Sequence, residues 1–184
     1  MKGKVKFSLT ILLLVSFIQA KAQSFEKLIN ENKIDTFAFY KTPSSIITFL
    51  FWTKQNRCYL SKEVYKQKTK VIETVSTDTF CPLSFYLLND KEIDNSTIRP
   101  FTYLKSSSTA KQDTFTLSIA HNPKYEWTIY QGQGFKTTSL KVFDLWEGSI
   151  KNETNIYFAY NNSQPIATFF KKTEELLHQI GWTK

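Results

Sequence analysis

Residues that specialised folds depend on are scarce in this chain of 184 residues. It contains only five glycines, five prolines and two cysteines. This scarcity, beside 41% hydrophobic and 22% charged residues, excludes collagen-like repeats, low-complexity scaffolds and disordered chains. Two cysteines are too few for a disulfide-dense mini-protein or for a zinc site with four cysteine ligands. The chain is therefore expected to fold around a hydrophobic core of its own.

Histidine and the common catalytic motifs are scarce as well. His121 and His178 are the two histidines, and neither belongs to a metal-binding spacing such as H-x-x-x-H. The chain lacks the G-x-S-x-G motif of serine hydrolases, and residues 132–136 lack the G-x-x-x-x-G-K-[ST] pattern of a phosphate-binding loop. We therefore expect no catalytic constellation, no cofactor and no metal site.

Arginine is nearly absent, although the formal net charge is +8. Arg57 and Arg99 are the two arginines, and four of the lysines lie in the first 22 residues, which contain no acid. The rest of the chain has 20 basic and 16 acidic side chains, a net charge of +4. Because nucleic-acid readers use arginine heavily for paired contacts to bases and phosphates, a nucleic-acid partner is not expected.

The N-terminal segment has the pattern of a secretory signal peptide over residues 1–22. Three lysines precede an apolar stretch over residues 7–20, and Ala20-Lys21-Ala22 supplies the small residues that a signal peptidase accepts. We predict cleavage after Ala22, a mature chain from Gln23, and a secreted or periplasmic location. The apolar stretch is shorter than the roughly 20 residues that span a bilayer, so an uncleaved anchor is the less favoured alternative. No membrane span is expected after cleavage.

Hydrophobic periodicity predicts an α+β fold with a mostly antiparallel sheet built from hairpins. Helical spacing of apolar residues follows Ser24 and precedes Gly181, which predicts a short N-terminal helix and a C-terminal helix. Residues 46–53 are apolar on both faces, which is typical of a central strand covered on both sides. Residues 23–184 are expected to form a single domain.

Two segments fit more than one structure. Pro82 could open a helix, or residues 84–88 could form a strand. Residues 165–180 could form one long helix from Pro165, or a strand over 166–170 followed by a helix over 174–180. Further strands are predicted over residues 98–105, 113–120, 125–131, 140–145 and 155–160.

Cys58 and Cys81 are predicted to form a disulfide, because an exported protein folds in an oxidising compartment. In the chain-entropy model, closing this loop stabilises the fold by roughly 3–3.5 kcal/mol. The alternative is two separate buried cysteines, since free cysteine is among the most buried residue types.

Four lysines at even positions would share one face of a single strand: Lys62, Lys66, Lys68 and Lys70. Such a face would suit an anionic partner, for example an acidic polysaccharide or lipid headgroups. The alternative is a solvated edge strand whose lysines discourage pairing with other strands. We take Lys66 and Lys68 as candidate binding residues.

Aromatic residues supply the other candidate contacts. Alternation over residues 125–131 places Trp127 on the same face as Ile129, which indicates the core. Tyr130 lies on the opposite face beside Glu126, and is the better candidate for an exposed ring. Together with Trp146, it is predicted to contribute a stacking platform for a sugar or a peptide.

Carboxylates beside tryptophans allow one catalytic hypothesis. Asp144 and Glu147 flank Trp146, and Glu126 precedes Trp127. A glycosidase uses two such carboxylates, one as acid and one as base or nucleophile. The sequence favours an exported, non-catalytic binding or structural domain whose partner is an extracellular or envelope polymer or protein. A secreted, glycosidase-like hydrolase is the alternative.

Overall fold

The computed structural model describes residues 24–43, 47–66, 69–106, 112–117, 122–148 and 153–183. The predicted signal peptide, residues 1–22, lies outside the described residues. The helices are α1 (Phe25–Asn32), α2 (Pro82–Leu88), α3 (Asp90–Asp94), α4 (Phe158–Ser163) and α5 (Pro165–Gln179), with a 3₁₀ helix over Val142–Leu145. The strands are β1 (Thr36–Lys41), β2 (Thr48–Lys54), β3 (Arg57–Lys66), β4 (Thr69–Thr77), β5 (Thr102–Ser106), β6 (Gln112–Thr116), β7 (Lys124–Gln131) and β8 (Gly134–Lys141).

The predicted α+β class is confirmed. Within the described residues, six strands form one antiparallel sheet in the order β4-β3-β2-β1-β7-β8, and β5 pairs with β6 in a second, small sheet. Helices lie at both ends, and the Ser24 side chain caps α1 as expected by accepting a hydrogen bond from the Lys27 amide at 3.2 Å. Three hairpins and the antiparallel β1–β2 pair build most of the sheet.

One face of the six-stranded sheet, here called the helix-side face, packs against α2, α3 and α5. Its strand residues include Tyr40, Phe51, Leu60 and Trp127, all of them inaccessible to solvent. The helices contribute further buried residues to the same cluster: Leu83, Tyr86, Ile93, Ile166, Ala167, Phe169, Phe170, Leu176 and Leu177. This cluster is the main core.

The opposite face, here called the open face, is covered by α1. Phe25 of α1 is buried against Leu50 and Trp52, and Leu28 and Ile29 pack beside it. Strand β2 is therefore buried on both faces, as the run of apolar residues over 46–53 predicts. Because α1 has only eight residues, it covers the β2 region and leaves the β7–β8 end of the open face accessible.

Both ambiguous segments are helical. Helix α2 starts at Pro82, whose missing N–H is harmless in the first turn, and α5 is one continuous helix from Pro165. The strand expected over 155–160 is wrong, because residues 155–157 turn into α4. The strand expected over 98–105 begins only at Thr102, and the one expected over 140–145 ends at Lys141.

Buried asparagines explain these differences. The Asn161 side chain accepts a hydrogen bond from the Arg99 amide at 3.0 Å and donates to the carbonyls of Arg99 and Asp144. The Asn155 side chain donates to the carbonyls of Asp144 and Trp146, both at 3.2 Å. These amides satisfy backbone groups that would otherwise need a neighbouring strand, so the chain is irregular on both sides of the contact.

Candidate functional site

A row of aromatic side chains, here called the aromatic ladder, crosses five strands on the open face. The strand register aligns Tyr59 with Trp52, Trp52 with Phe37, Phe37 with Tyr130, and Tyr130 with Phe135. Directly paired residues on antiparallel strands point to the same face, so all five side chains share one surface. The ladder runs from β3 to the edge strand β8.

Ring geometry shows that the ladder is packed at one end and open at the other. Trp52 and Tyr59 stack with their ring centroids 4.2 Å apart, and Phe37 and Tyr130 stack at 4.8 Å. Tyr130 contacts the ring of Phe135 at 5.8 Å. Exposure rises from 4% for Trp52, beneath α1, to 71% for Phe135. The accessible aromatic surface is therefore the Tyr130–Phe135 end.

A cavity of about 290 Å³, here called the open-face cavity, lies beside this end of the ladder. Its aromatic wall comes from Phe25 of α1, Phe39 of β1 and Tyr130 of β7, whose neighbouring rings lie 5.7–5.8 Å apart. The polar lining is formed by Lys41, Thr48, Glu63, Glu126 and Thr128. Aromatic rings on one side and convergent polar groups on the other are typical of ligand sites.

The two carboxylates of the open-face cavity are each held by lysine. Glu126 is 21% exposed and lies 2.7 Å from the Lys124 ammonium and 3.8 Å from that of Lys41. The hydrogen bond from Lys124 lowers the pKa of Glu126, with a smaller contribution from Lys41. Glu63 lies 2.5 Å from the Lys70 ammonium. Both acids are thus fixed in place, and their charges are compensated by lysines.

The predicted lysine face is wrong, because its residues belong to two strands. Lys62 pairs with Glu73 across β3 and β4, whereas Lys70 pairs with position 65, three residues further along β3. Lys62 and Lys70 therefore project from opposite faces, and the Lys62 ammonium lies 4.7 Å from the centre of the Trp182 ring. Lys66 is the last residue of β3, and Lys68 lies outside the described residues.

Tyr130 and Trp146 are placed on opposite sides of the sheet. Tyr130 belongs to the open face, together with Glu126. Trp146 follows the 3₁₀ helix and is 47% exposed. It lines a different cavity, which lies between the start of β7 and α5. Tyr125 of β7 and Phe170 of α5 also line this cavity. The two rings cannot act as a single platform.

The carboxylates of the hydrolase hypothesis are not brought into one cleft. Asp144 is buried and accepts a hydrogen bond from the Phe101 amide at 3.1 Å; burial raises its pKa. Glu147 is exposed beyond the 3₁₀ helix, and Glu126 lies on the open face. Asp144 has a backbone partner, and the lining of the open-face cavity, which contains Glu126, includes neither Asp144 nor Glu147.

The predicted disulfide is confirmed. Cys58 and Cys81 are bonded with their Cα atoms 5.5 Å apart, and the bridge ties β3 to the residue that precedes α2. A polar cavity of about 620 Å³ lies beside the bridge, between the β2–β3 turn and residues 77–81. It is lined mainly by hydroxyl and amide groups with no row of aromatic rings, so the open-face cavity is the stronger candidate.

Within the described part of the chain, no group of three or more metal-ligating side chains is present. In that same part, no helix has the length and hydrophobicity to cross a bilayer. His178 lies exposed on α5, and His121 falls outside the described residues. A comparison with protein-family models, curated proteins and solved structures found no match to this chain.

Sequence reasoning missed Phe37 and Phe39 as parts of the site; Phe135 lies in the same aromatic-rich segment as Tyr130 and Trp146, but its pairing with Tyr130 was missed. The signal was present, because Phe37 and Phe39 alternate with Ala38, and Phe135 lies opposite Tyr130 across a short hairpin turn. Assembling them required the pairing of β1 with β7, which joins segments about ninety residues apart and leaves no local trace in the sequence.

Proposed function

We propose that the protein is an exported, non-catalytic binding domain that holds a neutral polysaccharide on its open face. The observation that carries the proposal is the accessible end of the aromatic ladder beside the open-face cavity. Sugar rings present flat apolar faces that stack on aromatic side chains, and hydroxyl groups that need donors and acceptors. Tyr130 and Phe135 provide aromatic rings for stacking. Hydrogen-bonding partners for the hydroxyl groups come from Glu126, Glu63, Thr48 and Thr128.

The charges favour a neutral chain over an acidic one. Lys41, Lys124 and Lys70 each already hold a carboxylate of the cavity, so an incoming anion would have to compete with Glu126 and Glu63. A neutral hydroxylated ligand can accept from the lysines and donate to the carboxylates without breaking these pairs. Several rings in a row suit a polymer better than a single small sugar.

Binding is tested by affinity electrophoresis in native gels that contain a soluble β-glucan, a galactomannan or a xylan. We expect at least one of these polysaccharides to retard the protein. The variant Tyr130→Ala/Phe135→Ala should lose about tenfold or more in affinity, which corresponds to roughly 1.4 kcal/mol. Trp146→Ala is the matched control, because it removes an exposed ring on the other side of the sheet and should bind normally.

Two results would contradict this proposal. One is the absence of retardation by all three polysaccharides. The other is retardation that the double variant retains while its circular dichroism and thermal unfolding match those of the wild type.

Export is tested separately, by N-terminal sequencing of the protein recovered from the periplasm or the medium. We expect a chain that begins at Gln23, with Cys58 and Cys81 resistant to alkylation unless a reductant is added. A disulfide and the lack of a membrane-spanning helix in the described residues are compatible with this location. Full-length chain in the cytosol, with both thiols reduced, would contradict export.

A further inference from the structure

The cavity lined by Trp146 lies on the helix side of the sheet, between the start of β7, the 3₁₀ helix and α5. It has a volume of about 260 Å³ and is here called the helix-side cavity. Three aromatic residues and two aliphatic ones form most of its lining, and Lys171, Glu174 and Glu175 complete it. The aromatic and aliphatic residues are Tyr125, Val142, Leu145, Trp146 and Phe170.

Glu174 is the half-buried acid of this cavity. Its Oε1 atom accepts a hydrogen bond of 2.6 Å from the hydroxyl of Tyr40, which is inaccessible to solvent. Burial raises the pKa of Glu174 more than the hydrogen bond from Tyr40 lowers it. In the described part of the chain, no cationic nitrogen lies within 4.0 Å of this carboxylate. The acid is therefore desolvated without a counter-charge.

The lysine that lines this cavity, Lys171, does not supply that charge. The Lys171 ammonium instead donates a hydrogen bond of 2.6 Å to the Oδ1 atom of Asn162, on α4. In the open-face cavity, by contrast, Glu63 and Glu126 each form an ion pair with a lysine. The helix-side cavity thus has an acid that a positively charged ligand can pair with.

Trp146 lines the cavity, and its backbone and ring have several contacts. Its backbone carbonyl accepts from the Asn155 side chain at 3.2 Å, and the preceding carbonyl of Leu145 accepts from the Asn162 side chain at 3.1 Å. The Phe143 ring packs against the indole at 4.4 Å. Trp146 nevertheless remains 47% exposed, so part of its surface is accessible for stacking.

We propose that the helix-side cavity binds an organic ammonium group, with the cation between the Trp146, Tyr125 and Phe170 rings and its charge facing Glu174. Aromatic faces attract cations within about 6 Å, tryptophan most strongly, and quaternary ammonium ligands are commonly bound in this way. The Tyr125 and Phe170 rings lie 5.5 Å apart and form one aromatic wall of the cavity, whose lining also includes Trp146. This site is separate from the polysaccharide surface and independent of it.

The test compares choline with its neutral isostere, 3,3-dimethylbutan-1-ol, in a titration that monitors the indole N–H signals of the protein by NMR. We expect saturable shifts of the Trp146 signal with choline, and at least tenfold weaker binding of the alcohol. Glu174→Gln keeps an acceptor for Tyr40 but removes the charge, and it should weaken choline binding at least tenfold. Glu92→Gln, which removes an exposed acid on α3 that is not part of the cavity lining, should change it less than threefold.

Equal binding of choline and the alcohol would overturn the proposal, as would unchanged choline affinity in folded Glu174→Gln. Absence of any choline-dependent shift of Trp146 would overturn it too. If Glu174→Gln fails to fold, the comparison of the two probes on the wild type and on Trp146→Ala decides the matter. Trp146→Ala should lose choline binding while it retains the polysaccharide binding of the open face, so the two proposals fail independently.

Discussion

The two faces of the six-stranded sheet carry aromatic residues in different states. On the helix-side face, Phe51 and Trp127 are inaccessible to solvent and contact each other with centroids 4.7 Å apart. On the open face, Tyr130 and Phe135 also contact each other, but Phe135 is mostly exposed. The difference lies in what covers each face: three helices on one side and one short helix on the other.

The two faces are expected to contribute differently to stability and to binding. Large apolar side chains contribute to stability in proportion to the area that folding removes from water, so the helix-side face accounts for most of the stability. Rings that stay exposed contribute little to folding, and a contiguous group of them is more easily explained by contact with a partner. At the open end of the aromatic ladder the exposed Phe135 contacts the partly exposed Tyr130, and we propose this pair as such a surface.

The largest expected effect is on the stable face. Phe51→Ala should lower the free energy of unfolding by roughly 3–5 kcal/mol, because it removes a fully buried ring and leaves a cavity. Phe135→Ala is the matched control on the open face, and should change stability by less than about 0.5 kcal/mol. Urea unfolding of both variants measures the difference. If both variants lost a similar amount of unfolding free energy, the proposed difference between the two faces would be contradicted.

A smaller effect is expected from the disulfide, which is attached to the helix-side face. Cys58→Ala/Cys81→Ala should lower the free energy of unfolding by roughly 3 kcal/mol, because the unfolded chain regains the freedom of a loop whose ends are 23 residues apart. Thermal and urea unfolding measure this loss. Polysaccharide binding by the folded variant should be unchanged, since the bridge lies away from the open face; loss of binding in a folded variant would contradict that separation.

Local periodicity predicted the parts of the fold that depend on one element. Alternation along β7 places Trp127 and Ile129 in the core and Tyr130 on the other face, and the structure has this arrangement. A helix from Pro82 was one of the two structures that local geometry allowed for its segment, and the structure has this helix. Such features follow from the period of the strand or helix alone.

Features that depend on contacts between distant segments were not predictable in this way. The lysine face failed for a different, local reason: Lys62 and Lys70 lie on the two strands of one hairpin, β3 and β4, and project from opposite faces. The strand expected over 155–160 failed because Asn161 bonds to the backbone of Arg99, 62 residues away. Glu174 was overlooked because its partner, Tyr40, lies 134 residues away.

The accessible end of the aromatic ladder is the surface that we propose binds a polysaccharide. The most direct measurement is an NMR titration of the isotopically labelled protein with oligosaccharides from the polysaccharide that retards it most. We expect the largest shift changes at Phe39, Glu126, Tyr130 and Phe135, with the indole signal of Trp146 unmoved. Shifts that cluster around Trp146, or no saturable shift on the open face, would contradict the account.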